Sequence, residues 1–250
     1  MHRFYLPDFH TTGQTISLKG SIALQIKNVL RIQPGKRVRL FNGNGDEWET
    51  EISRIGPKEI LTTLISPVRT TPEPSTKITM MLGLARPERI EIAIQKCSEL
   101  GAVKFIPVIS ERVQGGNSGT PSQQRLKRWQ RIAIESAEQS GRAVVPTIEQ
   151  PRSLIEAVNH TLVKQDVLCM WEEITEESKS LRKSLKSLKK SSNRIAALIG
   201  PPGGFSQKEA LSIQKTGAHL VTLGPRVLRS ETAAITVMSS ILYEMGDLGG

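Results

Sequence analysis

Ala197-Leu198-Ile199-Gly200-Pro201-Pro202-Gly203-Gly204-Phe205-Ser206 runs from an apolar strand through a glycine- and proline-rich turn to the edge of a helix. The unbroken apolar run Ile195–Ile199 has the character of a strand buried on both faces. Ser206 followed three residues later by Glu209 forms a capping box, which marks the helix start. A strand that turns directly into a helix is the repeating unit of an α/β fold.

The same unit recurs on either side. Strands are expected at Ile78–Leu84, Lys104–Ile109, Asp166–Trp171 and His219–Leu223. The helix Pro87–Leu100 carries Ile90, Ala93, Ile94, Cys97 and Leu100 on one face and ends at Gly101. Thr120-Pro121-x-Gln123 reads as a second capping box. The helix after it places Leu126, Trp129, Ile132, Ala133, Ser136 and Ala137 on one side. A last helix is expected near Glu231–Met245. Alternating strands and helices imply a mostly parallel sheet covered by helices on both faces. Ser178–Asn193 interrupts the pattern. Leu181, Leu185 and Leu188 fit one helical face there, and its lysines and serines suit a solvated helix, a loose insertion or a basic RNA-contacting arm.

Before residue 70 the texture is different. Short β-rich segments occur at Arg3–Leu6, Thr15–Leu18, Arg37–Phe41, Glu47–Ile55 and Glu59–Ile65, with one short helix at Ser21–Leu30. Asn42-Gly43-Asn44-Gly45-Asp46 supplies the positive-φ residues of a tight hairpin. Thr70-Thr71-Pro72-Glu73-Pro74-Ser75 favours extended backbone and breaks both helix and sheet. Two domains are therefore expected: a small β-barrel-like domain over 1–71 and an α/β domain over 72–250. No internal repeat is visible.

Lys and Arg total 34 against 24 Asp and Glu, a formal charge of +10. Residues 1–71 hold ten Lys/Arg and six Asp/Glu, so the basic excess is spread over both parts. A basic surface concentrates polyanions, which makes nucleic acid the natural partner class, although solubility alone also explains charge. Cys97 and Cys169 lie far apart in apolar stretches, as buried free thiols in a reducing cytosol do. The histidines at 2, 10, 160 and 219 form no ligand pair, so no metal is expected. The N-terminus lacks the apolar core of a signal peptide, and no run approaches the ~18 apolar residues of a membrane span. A cytoplasmic protein is the expectation.

Chemistry concentrates in two loops. In the first, glycines at 200, 203 and 204 let backbone approach a ligand closely and present its polar groups to a flat edge such as adenine. No Gly-Lys-Ser/Thr ending is present, and the spacing is not G-x-G-x-x-G, which excludes a P-loop and a dinucleotide fingerprint. The second is Leu223-Gly224-Pro225-Arg226-Val227-Leu228-Arg229-Ser230-Glu231-Thr232-Ala233, again between a strand and a helix. Ligands of open α/β sheets bind beyond the carboxyl ends of strands, where both loops lie. On the residues alone each loop is equally well a tight turn without a ligand. Glu231 is equally well a favourable charge at a helix N-terminus, and Arg229 half of an ion pair.

Together these loops resemble the SPOUT class of knotted methyltransferases, and within it the RsmE family of 16S ribosomal RNA uracil-N3 methyltransferases. The resemblance extends over nearly the whole chain. His2-Arg3-Phe4-Tyr5 looks like the family's N-terminal signature. Gln95-Lys96-Cys97-Ser98-Glu99-Leu100-Gly101, Ser110-Glu111-Arg112 and Glu138-Gln139-Ser140-Gly141-Arg142 are similar to three further motifs in the same order. One departure stands out: Pro202 occupies a position where the family usually has Glu.

The resemblance implies an N-terminal PUA-like RNA-binding barrel, a C-terminal α/β domain with a deep trefoil knot, and a homodimer. It implies S-adenosylmethionine as cofactor and methylation of uridine N3 in 16S ribosomal RNA near the decoding centre of the small subunit. Carried onto this sequence, donor contacts fall to Leu198, Ile199, Gly200, Gly203, Gly204, Leu223, Gly224 and Leu228. Arg229 and Glu231 become the catalytic candidates, Arg229 for the developing uracil anion and Glu231 as base or orienter. Arg3, Arg112 and Arg142 become candidates for contact with RNA. Two rivals differ in outcome: a SPOUT enzyme for ribose 2′-oxygen or transfer RNA, and a catalytically silent RNA-binding or assembly factor, an idea to which Pro202 lends weight.

Overall fold

The computed structural model describes residues 1–7, 9, 13–112, 120–173, 179–188 and 193–249. The chain forms two compact units, Met1–Pro72 with Ala137–Val145, and Glu73–Ser136 with Pro146–Gly250.

The first unit is built on β1 (Arg3–Tyr5), β2 (Thr15–Lys19), β3 (Arg37–Phe41), β4 (Glu47–Ile55) and β5 (Glu59–Pro67). The pairing order is β1-β3-β4-β5-β2, parallel between β1 and β3 and antiparallel elsewhere. Alternation along the strands sends Phe4, Ile16, Leu18, Val38, Leu40, Ile52 and Ile60 into one core. Register shifts between Glu49 and Thr50 and between Ile52 and Arg54 bend the long β4–β5 pair, and the sheet forms half of a barrel. In the β3–β4 hairpin the Asn42 Oδ1 accepts from the backbone N–H groups of Asn44 and Asp46, at 2.8 and 3.2 Å. Gly43 and Gly45 supply the positive φ, at 81° and 113°. The expected helix at 21–30 is split into α1 (Gly20–Leu24) and one π-helical stretch, Gln25–Val29.

The second unit contains β6 (Lys77–Gly83), α2 (Pro87–Leu100), β7 (Lys104–Ile109), α3 (Gln123–Ser140, whose last residues belong to the first unit), β8 (Thr147–Ile148) and β9 (Arg152–Ser153). Then come α4 (Leu154–Leu162), β10 (Asp166–Met170), β11 (Lys179–Ser180), α5 (Leu181–Leu188), β12 (Arg194–Ile199), α6 (Gln207–Lys215), β13 (His219–Thr222) and α7 (Ser230–Met245). The sheet order is β11-β13-β10-β12-β6-β7-β8, with β9 also on β7, and its pairings are parallel. β12 is thus inserted between β6 and β10, two strands that precede it in the chain.

Burial on both faces follows the two-residue period of β12. Ile195, Ala197 and Ile199 join the core beneath α2, α3, α5 and α7, whereas Ala196 and Leu198 join the core beneath α4 and α6. α2 stops at Gly101, φ 111°, where the Gly101 N–H donates to the Ser98 carbonyl and the Ala102 N–H to that of Cys97. These two bonds satisfy carbonyls that the helix end would leave orphaned. The capping box at Ser206 and Glu209 is present in both directions. The one read at Thr120 is not: α3 begins at Gln123, and the Ser122 Oγ accepts from the Arg125 N–H at 3.3 Å. The nearer hydroxyl wins because it sits immediately before the first helical residue.

Residues 181–188 also correct an expectation. Leu181, Leu185 and Leu188 are buried in the core that α7 shares, so α5 is an amphipathic helix packed on the sheet rather than a loose insertion. Residues 178 and 189–192 of that stretch lie outside the described residues, as does His10. Both cysteines are buried and free; burial alone pushes the Cys97 thiol up to about 12, and burial with the nearby Glu172 and Glu209 raises Cys169 as well. Burial of this kind disfavours the thiolate, the reactive form.

Candidate functional site

β13, β10 and β12 are neighbours in the sheet, so the loops leaving their carboxyl ends emerge side by side. Between them lies a cavity of about 220 Å³. Its wall is formed by Ile199–Pro202 and Gly204 after β12, by Thr222–Gly224 and Arg226–Ser230 after β13, and by Met170–Glu172 after β10. Arg89 and Ala233 close it from α2 and α7.

Of the expected donor contacts, Ile199, Gly200, Gly204, Leu223, Gly224 and Leu228 line the cavity. Leu198 does not. The strand period turns it to the opposite face, where it is fully buried under α4 and α6. Gly203 also lies off the cavity wall and packs beside Arg112, whose Cβ a methyl at 203 would meet at 3.3 Å. The glycine loop is held by its own bond, Gly204 N–H to the Pro201 carbonyl at 2.8 Å. Gly204 has φ 66°, and a Cβ there would overlap the Glu172 carboxylate. A Cβ on Gly200 would press on the Phe205 ring at 3.3 Å. The loop therefore requires its glycines for close packing and for backbone direction.

Arg229 is the N-cap residue of α7, exposed and on the cavity wall. Glu231 sits in the first turn of α7 but lines a smaller adjoining pocket with Gly83, Arg89 and Ile90. Its carboxylate accepts from the Ser230 hydroxyl at 3.2 Å and lies 3.9 Å from the Arg89 Nε. The two catalytic candidates are brought to one helix end, yet only Arg229 faces the main cavity.

The three RNA candidates separate. Arg112 is exposed, and its guanidinium donates to the carbonyls of Gly203 and Phe205, at 3.1 and 3.4 Å. Arg142 is buried, only 5% exposed, which removes it from the list of surface phosphate contacts. Arg3 is removed too. Its guanidinium bonds Glu47 twice and donates to the carbonyls of Ala137, Glu138 and Arg142, all inside the first unit. Its donors are consumed by the fold.

Sequence reading missed the β10 loop, Arg89 and Gly83. Strand order in the sheet, which alone puts β10 between the two glycine loops, leaves no local signal. Among the described residues no group of His, Cys, Asp or Glu is placed to hold a metal ion, and no helix is long and apolar enough to cross a membrane.

Family models match twice: an RNA methyltransferase domain over residues 71–242 and an RNA methyltransferase PUA domain over 26–65. The chain is 30% identical to ribosomal RNA small subunit methyltransferase E of Mesomycoplasma hyopneumoniae, over 84% of this chain and 89% of that one. The chain belongs to the ribosomal RNA small subunit methyltransferase E family.

The likeness extends over nearly the whole chain. The Buchnera aphidicola (Schizaphis graminum) enzyme is 28% identical over 98% of this chain and 97% of its own. A crystal structure of the Neisseria gonorrhoeae enzyme bound to S-adenosyl methionine superposes with a TM-score of 0.86, at 30% identity over 97% of both chains. The second unit thereby falls in the SPOUT class of trefoil-knotted methyltransferases, and the first contains the PUA domain. The cavity suits a ligand with a flat ring and a charged tail. Apolar Met170, Ile199, Leu223, Leu228 and Ala233 share its wall with Arg89, Glu172, Arg226 and Arg229.

Proposed function

We propose that this protein transfers a methyl group from S-adenosylmethionine to N3 of a uridine in 16S ribosomal RNA, near the decoding centre of the small subunit. The convergence of three strand-end loops on one cavity, with Arg229 on its wall, carries this reading. Near-complete likeness to a relative solved with the same donor supports it.

S-adenosylmethionine, when bound, supplies an electrophilic methyl on a sulfonium. Backbone of Ile199–Pro202, Gly204, Leu223, Gly224 and Arg226–Leu228 would hold the donor, and the apolar side chains would exclude water from it. Arg229 pairs with O2 or O4 of the uracil and stabilises the anion that forms as N3 loses its proton. Water accepts that proton. Glu231 acts as a positioning residue: it holds Arg89 at the cavity edge and complements the positive end of α7.

Arg112, at the rim beside Gly203, contacts the RNA backbone, while the PUA-bearing unit provides further RNA affinity. The protein works in the cytoplasm as a homodimer on ribosomal RNA within the small subunit. Mass mapping of modified nucleosides in 16S ribosomal RNA, with and without this protein, tests the proposal. Loss of one N3-methyluridine in its absence is expected, and an unchanged map would refute it. The rival of a silent RNA-binding factor, favoured by Pro202, predicts no calorimetric signal with S-adenosylmethionine.

A further inference from the structure

Glu172 is the sole carboxylate among the described residues of the cavity wall, which also carries Arg89, Arg226 and Arg229. The residue is exposed, and its carboxylate tip rests against the Cα of Gly204, in the space that a side chain at 204 would fill. The left-handed turn at Gly204 and its missing Cβ both serve this approach. Pro202 lines the same cavity. It offers neither a carboxylate nor an N–H. The negative charge on this cavity wall comes from the β10 loop.

That charge has a specific consequence. S-adenosylmethionine carries an ammonium, a carboxylate and a sulfonium, for a net charge of +1. The product, S-adenosylhomocysteine, has lost the sulfonium charge and is neutral. Three arginines in a partly enclosed wall raise the local potential and disfavour a cation, and one carboxylate among them reverses this locally.

We propose that Glu172 is the residue by which this site distinguishes the charged methyl donor from its neutral product. The inference rests on the methyl-donor reading above. Glu172 attracts the sulfonium form and loses that attraction when the methyl leaves, which favours product release. Because the attraction is greatest before transfer, it raises donor affinity without assisting the chemical step. Glu172 is therefore a specificity residue.

Calorimetric titration of the full chain with S-adenosylmethionine and, separately, S-adenosylhomocysteine tests this in the wild type, Glu172→Gln and Glu172→Asp. In Glu172→Gln the donor-to-product affinity ratio is expected to fall about tenfold, with product affinity changed less than about twofold. Glu172→Asp keeps the charge and is expected to retain most of the ratio. Equal weakening of both ligands in Glu172→Gln would show that Glu172 only shapes the glycine loop, and unchanged affinity for both would show no role; either result overturns the proposal. Failure of the wild type to bind either ligand would instead overturn the methyl-donor reading, and this inference with it.

Discussion

Arg3 and Glu47 form a nearly buried pair. The guanidinium donates from Nε at 3.0 Å and from Nη2 at 2.7 Å to the two carboxylate oxygens, and the side chains are 11% and 2% exposed. The guanidinium also stands 4.8 Å from the centre of the Phe41 ring. Removing Arg3 leaves the Glu47 carboxylate in a poor solvent, faced only by the more distant Arg39 at 3.8 Å. Arg3→Ala is expected to lower the unfolding free energy by about 3–5 kcal/mol in denaturant titrations. The double variant Arg3→Ala/Glu47→Gln should lose less than Arg3→Ala alone, because the nearly buried carboxylate is gone and Arg39, its other partner, is open to water. Equal losses would show that the carbonyl contacts, not the pair, hold β1.

Gly83 ends β6 directly beneath the glycine loop. A Cβ there would stand 2.5 Å from the Pro201 nitrogen and 2.8 Å from the Gly200 carbonyl carbon, which are backbone atoms with no rotamer to yield. Gly83→Ala is expected to cost about 1–3 kcal/mol of stability. It should also weaken donor binding at least roughly tenfold, since misplacement of a binding loop by ~1 Å is felt strongly. Calorimetry beside thermal unfolding checks both. Normal donor affinity in a folded Gly83→Ala protein would show that the loop accommodates the methyl.

Arg229 and Glu231 lie two residues apart at the start of α7 but face different pockets. Arg229→Ala is expected to lower the single-turnover methylation rate by about 100-fold or more, the scale of a lost charge-stabilising donor. Glu231→Gln should fall by less than about tenfold, with Arg89→Ala producing a similar loss. Near-normal rates in both Arg229→Ala and Glu231→Gln would sink the assignment of this helix end to chemistry.

Asp247 gives a pH signature. Burial alone would raise its carboxyl, but hydrogen bonds from Thr76 and Ser75 outweigh burial and hold it below the ordinary value of 3.8. The contacts are 2.7 Å from the Ser75 N–H, 2.9 Å from its hydroxyl and 3.0 Å from the Thr76 N–H. A carboxyl depressed in the folded state adds stability above its unfolded value and loses it as pH falls through the folded one. The stability difference between wild type and Asp247→Asn is thus expected to be full at neutral pH, to shrink as pH falls below the 3.8 reference, and to vanish only below the lower folded value. A difference that persisted at lower pH would assign the effect to geometry rather than charge.

Local chemistry made much of the fold legible. Pro87 and Gly101 delimit α2 as read, because a proline at the first position and a left-handed glycine after the last act within one turn. The β3–β4 hairpin and the Ser206 cap are equally local. The errors arose where neighbours compete and where burial depends on distant segments. Thr120 and Ser122 both offer a hydroxyl, and only the packed helix selects Ser122. The leucines of α5 read as a helical face, but their burial depended on a surface of the sheet that distant strands assemble.

By itself, the sequence determined the α/β alternation, the two glycine loops at strand ends and the family, since each is written in residues close along the chain. Only the tertiary structure decided what those loops enclose. Parallel strands acquire their neighbours through crossovers, so the insertion of β12 between β6 and β10 has no local signature. That insertion brings Glu172 to Gly204 and sets Gly83 beneath Pro201, and it decides which face of the β12 alternation meets the cavity, so that Ile199 lines it and Leu198 does not. Burial likewise assigned the arginines. A guanidinium reads the same in sequence whether it meets RNA or, like Arg3, an internal carboxylate, and only the surrounding acceptors distinguish the two.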